Sequence, residues 1–366
     1  SRHAINWQCL ISSLGLLQIR KIIRFLYCPG AKMTTKPKPA PLPPDTVIGG
    51  YRIVRRLAAG GFGVVYLAQD ANGQEVAIKE YLPAALVSRE PGQLVPQVAQ
   101  EKLSLYRLGL KSFFEEGRAL TQIAHSSVVS VLNFFRENDT VYMVMNYLQG
   151  ASLQEYILLA RNRKEPKILR ESTIRSLFDE VLRGLRIVHQ YKMLHLDIKP
   201  ANIFITDDDR AVMIDFGAAR EVLNQQGNFV RPMYTPGFAA PEMYRKSNST
   251  MGPWTDIYAI GACIYVCMVG QAPPDVPKRQ EQDALPTALA RLRGSYSDNI
   301  LELAQWSMEL EAGNRPQSVF ALHKALTNDT HRRYTQLSMA ERVRLQLGAF
   351  IGQGPGGLAL SQQNAP

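Results

Sequence analysis

The chain lacks any run approaching the roughly eighteen to twenty apolar residues that a membrane-spanning helix needs. Its most apolar early stretch, Leu10 to Tyr27, is broken by Arg20, Lys21 and Arg24. Cysteine is scarce: Cys9, Cys28, Cys263 and Cys267 are all there is, with no C-x-x-C pair. That argues against a zinc site and against a disulfide framework. Cys263 and Cys267 stand four apart in the apolar run Ile260–Val269. They are expected to stack on one helix face as small buried hydrophobes. Free thiols of this kind suit a reducing compartment, so a cytoplasmic protein is expected. Acidic residues are also in deficit, 32 against 42 basic, but unevenly. Arg2, Arg20, Lys21, Arg24, Lys32, Lys36 and Lys38 face Asp45 alone in the first fifty positions. The excess charge is therefore mostly a property of the leader, and nucleic-acid binding is not expected. What the chain does have is 46% hydrophobic and 20% charged residues over 366 positions, the balance of a globular protein with a substantial core.

The chain begins at Ser1 and its first methionine is Met33. Residues 1–32 are therefore expected to lie outside the native coding start or outside the fold. If native, residues 10–27 would make a basic amphipathic stretch capable of weak contact with a membrane surface. The Pro-rich run 36–44 (KPKPAPLPP) predicts an extended tether, so residues 1–50 are expected to form a leader and linker. Segments 51–57, 63–69 and 74–80 alternate or run apolar between Gly-containing turns and predict three antiparallel strands. Asn72-Gly73 is a strong hairpin signal. A helix over 99–123 and strands over 129–136 and 140–146 follow, giving a small five-stranded sheet with one helix. Beyond Gly150 helices dominate. Ile174, Leu177, Phe178, Val181, Leu182, Leu185 and Val188 recur at three- and four-residue steps, one buried stripe over 172–190. Short strands are expected at 202–206 and 211–215, and helices at 255–269, 284–293, 297–308 and 316–326. No internal repeat is visible. Residues 327–366 predict a tail with a helix at 338–347.

Two runs carry the chemistry. The first is His195-Leu196-Asp197-Ile198-Lys199-Pro200-Ala201-Asn202, and the second is Asp215-Phe216-Gly217. Upstream lie Leu57-Ala58-Ala59-Gly60-Gly61-Phe62-Gly63-Val64-Val65 and Ala77-Ile78-Lys79; downstream lie Ala240-Pro241-Glu242 and Asn314-Arg315-Pro316. In order and spacing these motifs resemble the protein kinases, over roughly residues 51–326. Lys199, two places after Asp197, resembles the Ser/Thr-specific branch, and the compact loops resemble the bacterial group of eukaryotic-like kinases. The resemblance implies an α+β fold of two lobes, a β-rich lobe over 51–148 and an α-rich lobe over 149–326. It implies transfer of the γ-phosphoryl group of ATP, with Mg2+ and with Mn2+ as an alternative ion, to Ser or Thr hydroxyls of protein substrates, including autophosphorylation.

The same resemblance assigns roles. Leu57, Gly60, Gly61, Phe62 and Gly63 would cover the phosphates, because residues without a Cβ let backbone N–H groups come close to them. Lys79 would hold the α- and β-phosphates as a point charge. Counting back nine residues from His125 selects Glu116, not Glu115, as the carboxylate that positions Lys79. Asp197 would act as base, Lys199 would neutralise the γ-phosphate, and Thr235 would touch both. Asn202 and Asp215 would hold the metal, hard oxygen donors for a hard cation. Val65, Ala77 and Phe204 would sandwich adenine, beside Met145 as gatekeeper and the backbone of Asn146, Tyr147 and Leu148. Leu120, Val131, His195 and Phe216 would form an apolar column linking the lobes. Asp256 would brace the catalytic loop, and Glu242 would pair with Arg315 in the core.

Three departures stand out. Ala58 replaces the first glycine of the phosphate loop. The connection from Lys79 to Glu116 is long, so Glu80–Gly109 is expected to be an insertion that packs beside the helix and biases its position. Leu196 stands where regulated kinases carry an arginine that pairs with a loop phosphate. Between Asp215 and Glu242 the only Ser or Thr is Thr235, so activity is expected without loop phosphorylation. Rival readings are a pseudokinase scaffold, which would need damage at Lys79, Asp197 or Asp215, and a small-molecule phosphotransferase, against which Lys199, Thr235 and Ala240-Pro241-Glu242 argue.

Overall fold

The computed structural model describes residues 39–162, 168–217, 234–244 and 250–327. The expected segments 1–32 and 338–347, and residues 218–233, lie outside the described residues. The described part forms two lobes, as expected.

The first lobe is built on a six-stranded antiparallel sheet: β1 (Val47–Ile48), β2 (Tyr51–Ala59), β3 (Gly63–Gln69), β4 (Glu75–Tyr81), then a hairpin of β5 (Val87–Ser88) and β6 (Gln97–Val98) outside that sheet, helix α1 (Leu103–Leu120), β7 (Val131–Glu137) and β8 (Thr140–Asn146). Sheet order is β1-β2-β3-β4-β8-β7. The β3–β4 turn closes on Gly73 at φ +79°, while the Asp70 carboxylate accepts from the N–H groups of Asn72 and Gln74 at 2.8 Å each. Asn138 and Asp139, at φ 51° and 56°, make the two-residue turn between β7 and β8. Both φ values are positive, as hairpin turns that match strand twist demand.

The sheet has one strand more than expected, because β1 is too short to show alternation. Packing also starts ahead of Tyr51. Leu42 is buried and its N–H donates to the Tyr66 hydroxyl at 2.9 Å. The described end of the Pro-rich stretch is therefore docked on the lobe and not a free tether. Helix α1 begins at Leu103, four residues later than the expected 99, inside the predicted insertion and after a 3-10 turn over Gln100–Lys102. The Tyr81 ring packs at a tilt 5.4 Å from Tyr106 and 5.7 Å from Phe113, both on α1.

The second lobe runs β9 (Gly150–Ser152), α2 (Leu153–Asn162), α3 (Glu171–Gln190), β10 (Ile203–Thr206), β11 (Ala211–Met213), α4 (Pro241–Tyr244), α5 (Pro253–Val269), α6 (Val276–Glu281), α7 (Leu285–Ala290), α8 (Asp298–Ser307) and α9 (Val319–Thr327). Every member of the predicted α3 stripe is buried. α5 is apolar on all sides and sits in the middle of the lobe, the expected fate of a helix with no polar face. It ends on Gly270 at φ +78°, the left-handed cap that glycine adopts without strain. Gly261 lets α8 approach closely, since a Cβ there would stand 2.6 Å from the Ser307 Cβ. Cys263 and Cys267 are fully buried in α5, as expected of small hydrophobes.

Candidate active site

Strand register fixes one wall of the cleft. Val65 opposes Lys79, and Ala77 opposes both Leu67 and Met145. Directly paired residues and those two apart share a face of a sheet, so Val65, Ala77, Lys79 and Met145 line one face. Phe204, partly buried, lies on β10 of the other lobe, opposite Val212 and Ser152. Asn146 is exposed at the end of β8, and Tyr147 and Leu148 lead partly buried into the second lobe. Leu57 is partly buried near the end of β2. The turn from Gly60 to Gly63 is closed by a hydrogen bond from Gly60 N–H to Gly63 O at 2.9 Å. A Cβ on Gly63 would overlap the Glu80 carbonyl oxygen, so only glycine fits at that point of the turn.

The catalytic run follows α3. Asp256, at the start of α5 and 1% exposed, accepts from the N–H groups of His195 at 2.9 Å and Leu196 at 2.8 Å. Its Oδ2 also meets His189 Nε2 at 2.8 Å. Leu196 is held at φ 60°, a left-handed conformation that a branched side chain adopts only where the surroundings enforce it. Burial alone would raise the Asp256 pKa, but the hydrogen bond and charge of His189, and the groups of His195, bring it below the ordinary value. Burial pushes the His195 imidazole down, against the pull of Asp256, Asp197 and Asp215. The resulting neutral ring stacks on Phe216 at 4.3 Å. Leu120 and Val131, the other two members of the predicted column, are also buried.

Asp197 is nearly enclosed. Lys199 Nζ donates to its two carboxylate oxygens at 2.8 and 3.1 Å. Asn202 Nδ2 donates to its Oδ2 and to its carbonyl oxygen, both at 2.8 Å. Lys199 Nζ also reaches Thr235 Oγ1 at 3.3 Å, so Asp197, Lys199 and Thr235 meet although Thr235 comes from a distant segment. Asn202 Nδ2 lies 3.3 Å from the Asp215 carbonyl oxygen, and Asp215 takes φ 62°. Asp215 Oδ1 in turn lies 2.5 Å from Lys79 Nζ. The four predicted residues Lys79, Asp197, Asn202 and Asp215 thus form one chain of contacts across the cleft. Lys79 also sits 5.2 Å from the ring centre of Phe113. Glu116, 4% exposed, is buried on α1 beside the sheet, and Glu115 pairs instead with Arg118 at the surface. That placement agrees with choosing Glu116 as the inward carboxylate.

Sequence reasoning did not foresee the direct Lys79–Asp215 contact or the His189–Asp256 contact, which join segments far apart in the chain. It also missed the burial of Arg89, in a polar stretch with no periodicity to mark it. The side-chain hydrogen bonds of Asn202 given above all run through Nδ2, so its Oδ1 and the Asp215 carboxylate are oxygen donors of the kind that could hold a hard divalent cation. A groove of about 520 Å³ opens next to Lys199 and Thr235, with walls from α2, Pro236, Phe238 and Val266.

The fold and this cluster define a phosphotransfer-type cleft between a sheet lobe and a helical lobe. Residues 51–342 match the protein kinase domain family, and the chain belongs to that family. The serine/threonine-protein kinase pkn2 of Myxococcus xanthus is 28% identical over 302 residues, covering 78% of this chain and 33% of that protein. Serine/threonine-protein kinase D of Synechocystis sp. is 27% identical over 291 residues, 76% of this chain and 52% of that one. The chain thus spans a third to a half of the length of these curated relatives. Among solved structures, the PpkA-294 apo form shares 31% identity with a TM-score of 0.69, covering 78% of this chain and 99% of that chain. The PknI kinase domain of Mycobacterium tuberculosis, at 20% identity and a TM-score of 0.55 over 78% of this chain and 98% of that one, shares the fold.

Proposed function

We propose that the chain is a protein serine/threonine kinase that uses ATP with a divalent cation, Mg2+ in the first place. The observation that carries this reading is the contact of Asp197 with Lys199, and of Lys199 with Thr235, beside the Lys79–Asp215 pair. Asp197 orients the substrate hydroxyl and accepts its proton as the hydroxyl oxygen bonds to the γ-phosphorus and ADP leaves. Lys199, already seated on the Asp197 carboxylate, offsets negative charge on the transferring phosphoryl group. Lys79 binds the non-transferred phosphates. Asn202 and Asp215 would hold the cation, which supplies charge neutralisation between the phosphates when bound. Val65, Ala77, Phe204 and the chain at 145–148 enclose the adenine.

Intact Lys79, Asp197 and Asp215 stand against a scaffold without turnover. The groove beside Lys199 and Thr235, with apolar walls from Ile157, Leu158, Pro236, Phe238 and Val266, favours a polypeptide over a small acceptor. Among the described residues no helix is long and apolar enough to cross a membrane, and the surface-contact stretch 10–27 lies outside them. A Mg-ATP turnover assay with a peptide array separates the readings. Phosphorylated Ser or Thr peptides, lost with Asp197→Ala, support a protein kinase. Rapid small-molecule phosphorylation with silent peptides would overturn it.

A further inference from the structure

The β3–β4 ladder ends at Gly63 opposite Tyr81, but hydrogen bonding continues two rungs past it. Leu82 N–H donates to the Phe62 carbonyl at 3.0 Å, and Ala84 N–H donates to the Gly61 carbonyl at 2.9 Å. The chain leaving β4 therefore runs alongside the glycine-rich turn and ties down its tip. Pro83 then opens a turn closed by Leu86 N–H to Pro83 O at 2.8 Å, and the β5–β6 hairpin follows.

At the end of β5, Arg89 anchors this segment. Its side chain and that of Glu80 are both fully buried. Arg89 donates to the two Glu80 oxygens at 2.5 and 2.8 Å, to the Tyr66 hydroxyl at 3.2 Å, to the Leu94 carbonyl at 3.2 Å and to the Ala40 carbonyl at 2.7 Å. Tyr66 and Tyr142 also donate to Glu80, at 2.7 and 3.2 Å. Glu80 is the neighbour of Lys79 and points from the opposite face of β4, since side chains alternate along a strand. Lys102, just before α1, donates to the Ala85 carbonyl at 2.8 Å. One short segment thus touches the glycine turn, the back of the Lys79 strand and the start of α1.

We propose that residues 82–89 hold the glycine-rich turn in its phosphate-covering position, and that Arg89 is a positioning residue for nucleotide binding. The inference rests on the ATP reading of the cleft. Physically, a turn containing Gly60, Gly61 and Gly63 loses much backbone freedom on closing over a ligand. Two hydrogen bonds formed beforehand reduce that loss. The gain falls on ligands that carry phosphates and not on adenosine, which occupies only the sheet-lined end of the cleft.

Ala84→Pro provides the test. Ala84 is the second residue of the Pro83–Leu86 turn, a position where proline is favoured, so the turn is kept while the N–H to Gly61 is deleted and the ring Cδ in its place pushes the Gly61 carbonyl away. Titration calorimetry should show Mg-ATP binding weakened about three- to ten-fold, the scale of one lost hydrogen bond, with adenosine binding unchanged. The Glu80→Gln/Arg89→Met pair, which leaves no unpaired buried charge, should give the same phosphate-selective loss in protein that melts cooperatively. Equal weakening of Mg-ATP and adenosine, or no weakening of either by Ala84→Pro, overturns the proposal. Wild-type protein that binds neither ligand overturns the nucleotide reading itself, a distinct result.

Discussion

Replacing Arg315 with methionine removes one half of a buried ion pair and takes the guanidinium away from the other half. Arg315 is fully buried and Glu242 is 6% exposed. The guanidinium meets the Glu242 oxygens in parallel at 2.8 and 3.0 Å. It also donates to the carbonyl oxygens of Glu309 at 2.7 Å, Leu310 at 3.1 Å and Trp254 at 3.1 Å. After Arg315→Met, the Glu242 carboxylate keeps the Thr255 hydroxyl at 2.7 Å and loses both guanidinium bonds. Breaking such a pair from one side costs about 3–5 kcal/mol, and at about 2–4 °C per kcal/mol for a domain of this size the melting temperature should fall by about 10 °C. Urea unfolding should move its midpoint by the same free energy with an unchanged slope. Adding Glu242→Gln to Arg315→Met should recover part of the loss, because the Glu242 charge goes with it. A single variant that melts within a degree or two of the wild type, or a double variant no more stable than Arg315→Met alone, would refute the reasoning.

Three other expectations follow from the same structure. Stability should decline as pH falls below about 6.5, because the unfolded chain protonates His195 at its ordinary value while burial keeps the folded imidazole neutral. The lowered Asp256 pKa acts in the same direction further into acid, its contribution being complete above the ordinary carboxylate range and lost as pH drops through the folded value. Melting temperatures from pH 8 to pH 5 check this, and a flat profile contradicts it. Exhaustive phosphatase treatment should leave turnover unchanged, since Leu196 offers no cation for a loop phosphate and Thr235 is the only hydroxyl-bearing Ser or Thr between Asp215 and Glu242; abolished turnover with a mapped loop phosphosite counts against it. In a peptide library, an apolar residue near the phosphoacceptor should be preferred over arginine, because Ile157, Leu158, Pro236, Phe238 and Val266 line the groove next to Lys199, and selection for arginine there would contradict the assignment.

Much of this architecture was legible because its signals are local. The stripe on α3 repeats over about four turns, and α5 is apolar on every side, so both helices declare their burial. The Asp197–Asn202 and Asp215–Gly217 runs carry their spacing within a few residues. The short strands β1, β5 and β6 were not legible, since two residues cannot display a period of two. Leu42 sits in a Pro-rich run whose composition predicts an extended tether, but it is buried against Tyr66 instead of standing in solvent. Arg89 lies among polar residues, and its burial depends on Glu80 and Tyr66 being placed behind β4 by strand register. Contacts such as Lys79–Asp215 and His189–Asp256 join distant segments, where a sequence read alone offers chemistry but no distance.

The central claim is tested most directly by mass spectrometry of a protein mixture incubated with Mg-ATP and the purified chain, beside an identical sample with Asp197→Ala. New phosphoserine and phosphothreonine on polypeptides with the wild type, absent with Asp197→Ala, is the predicted result. Phosphorylation that persists at equal rate in the Asp197→Ala sample, or a wild type that folds, binds Mg-ATP and transfers nothing to protein, would contradict it.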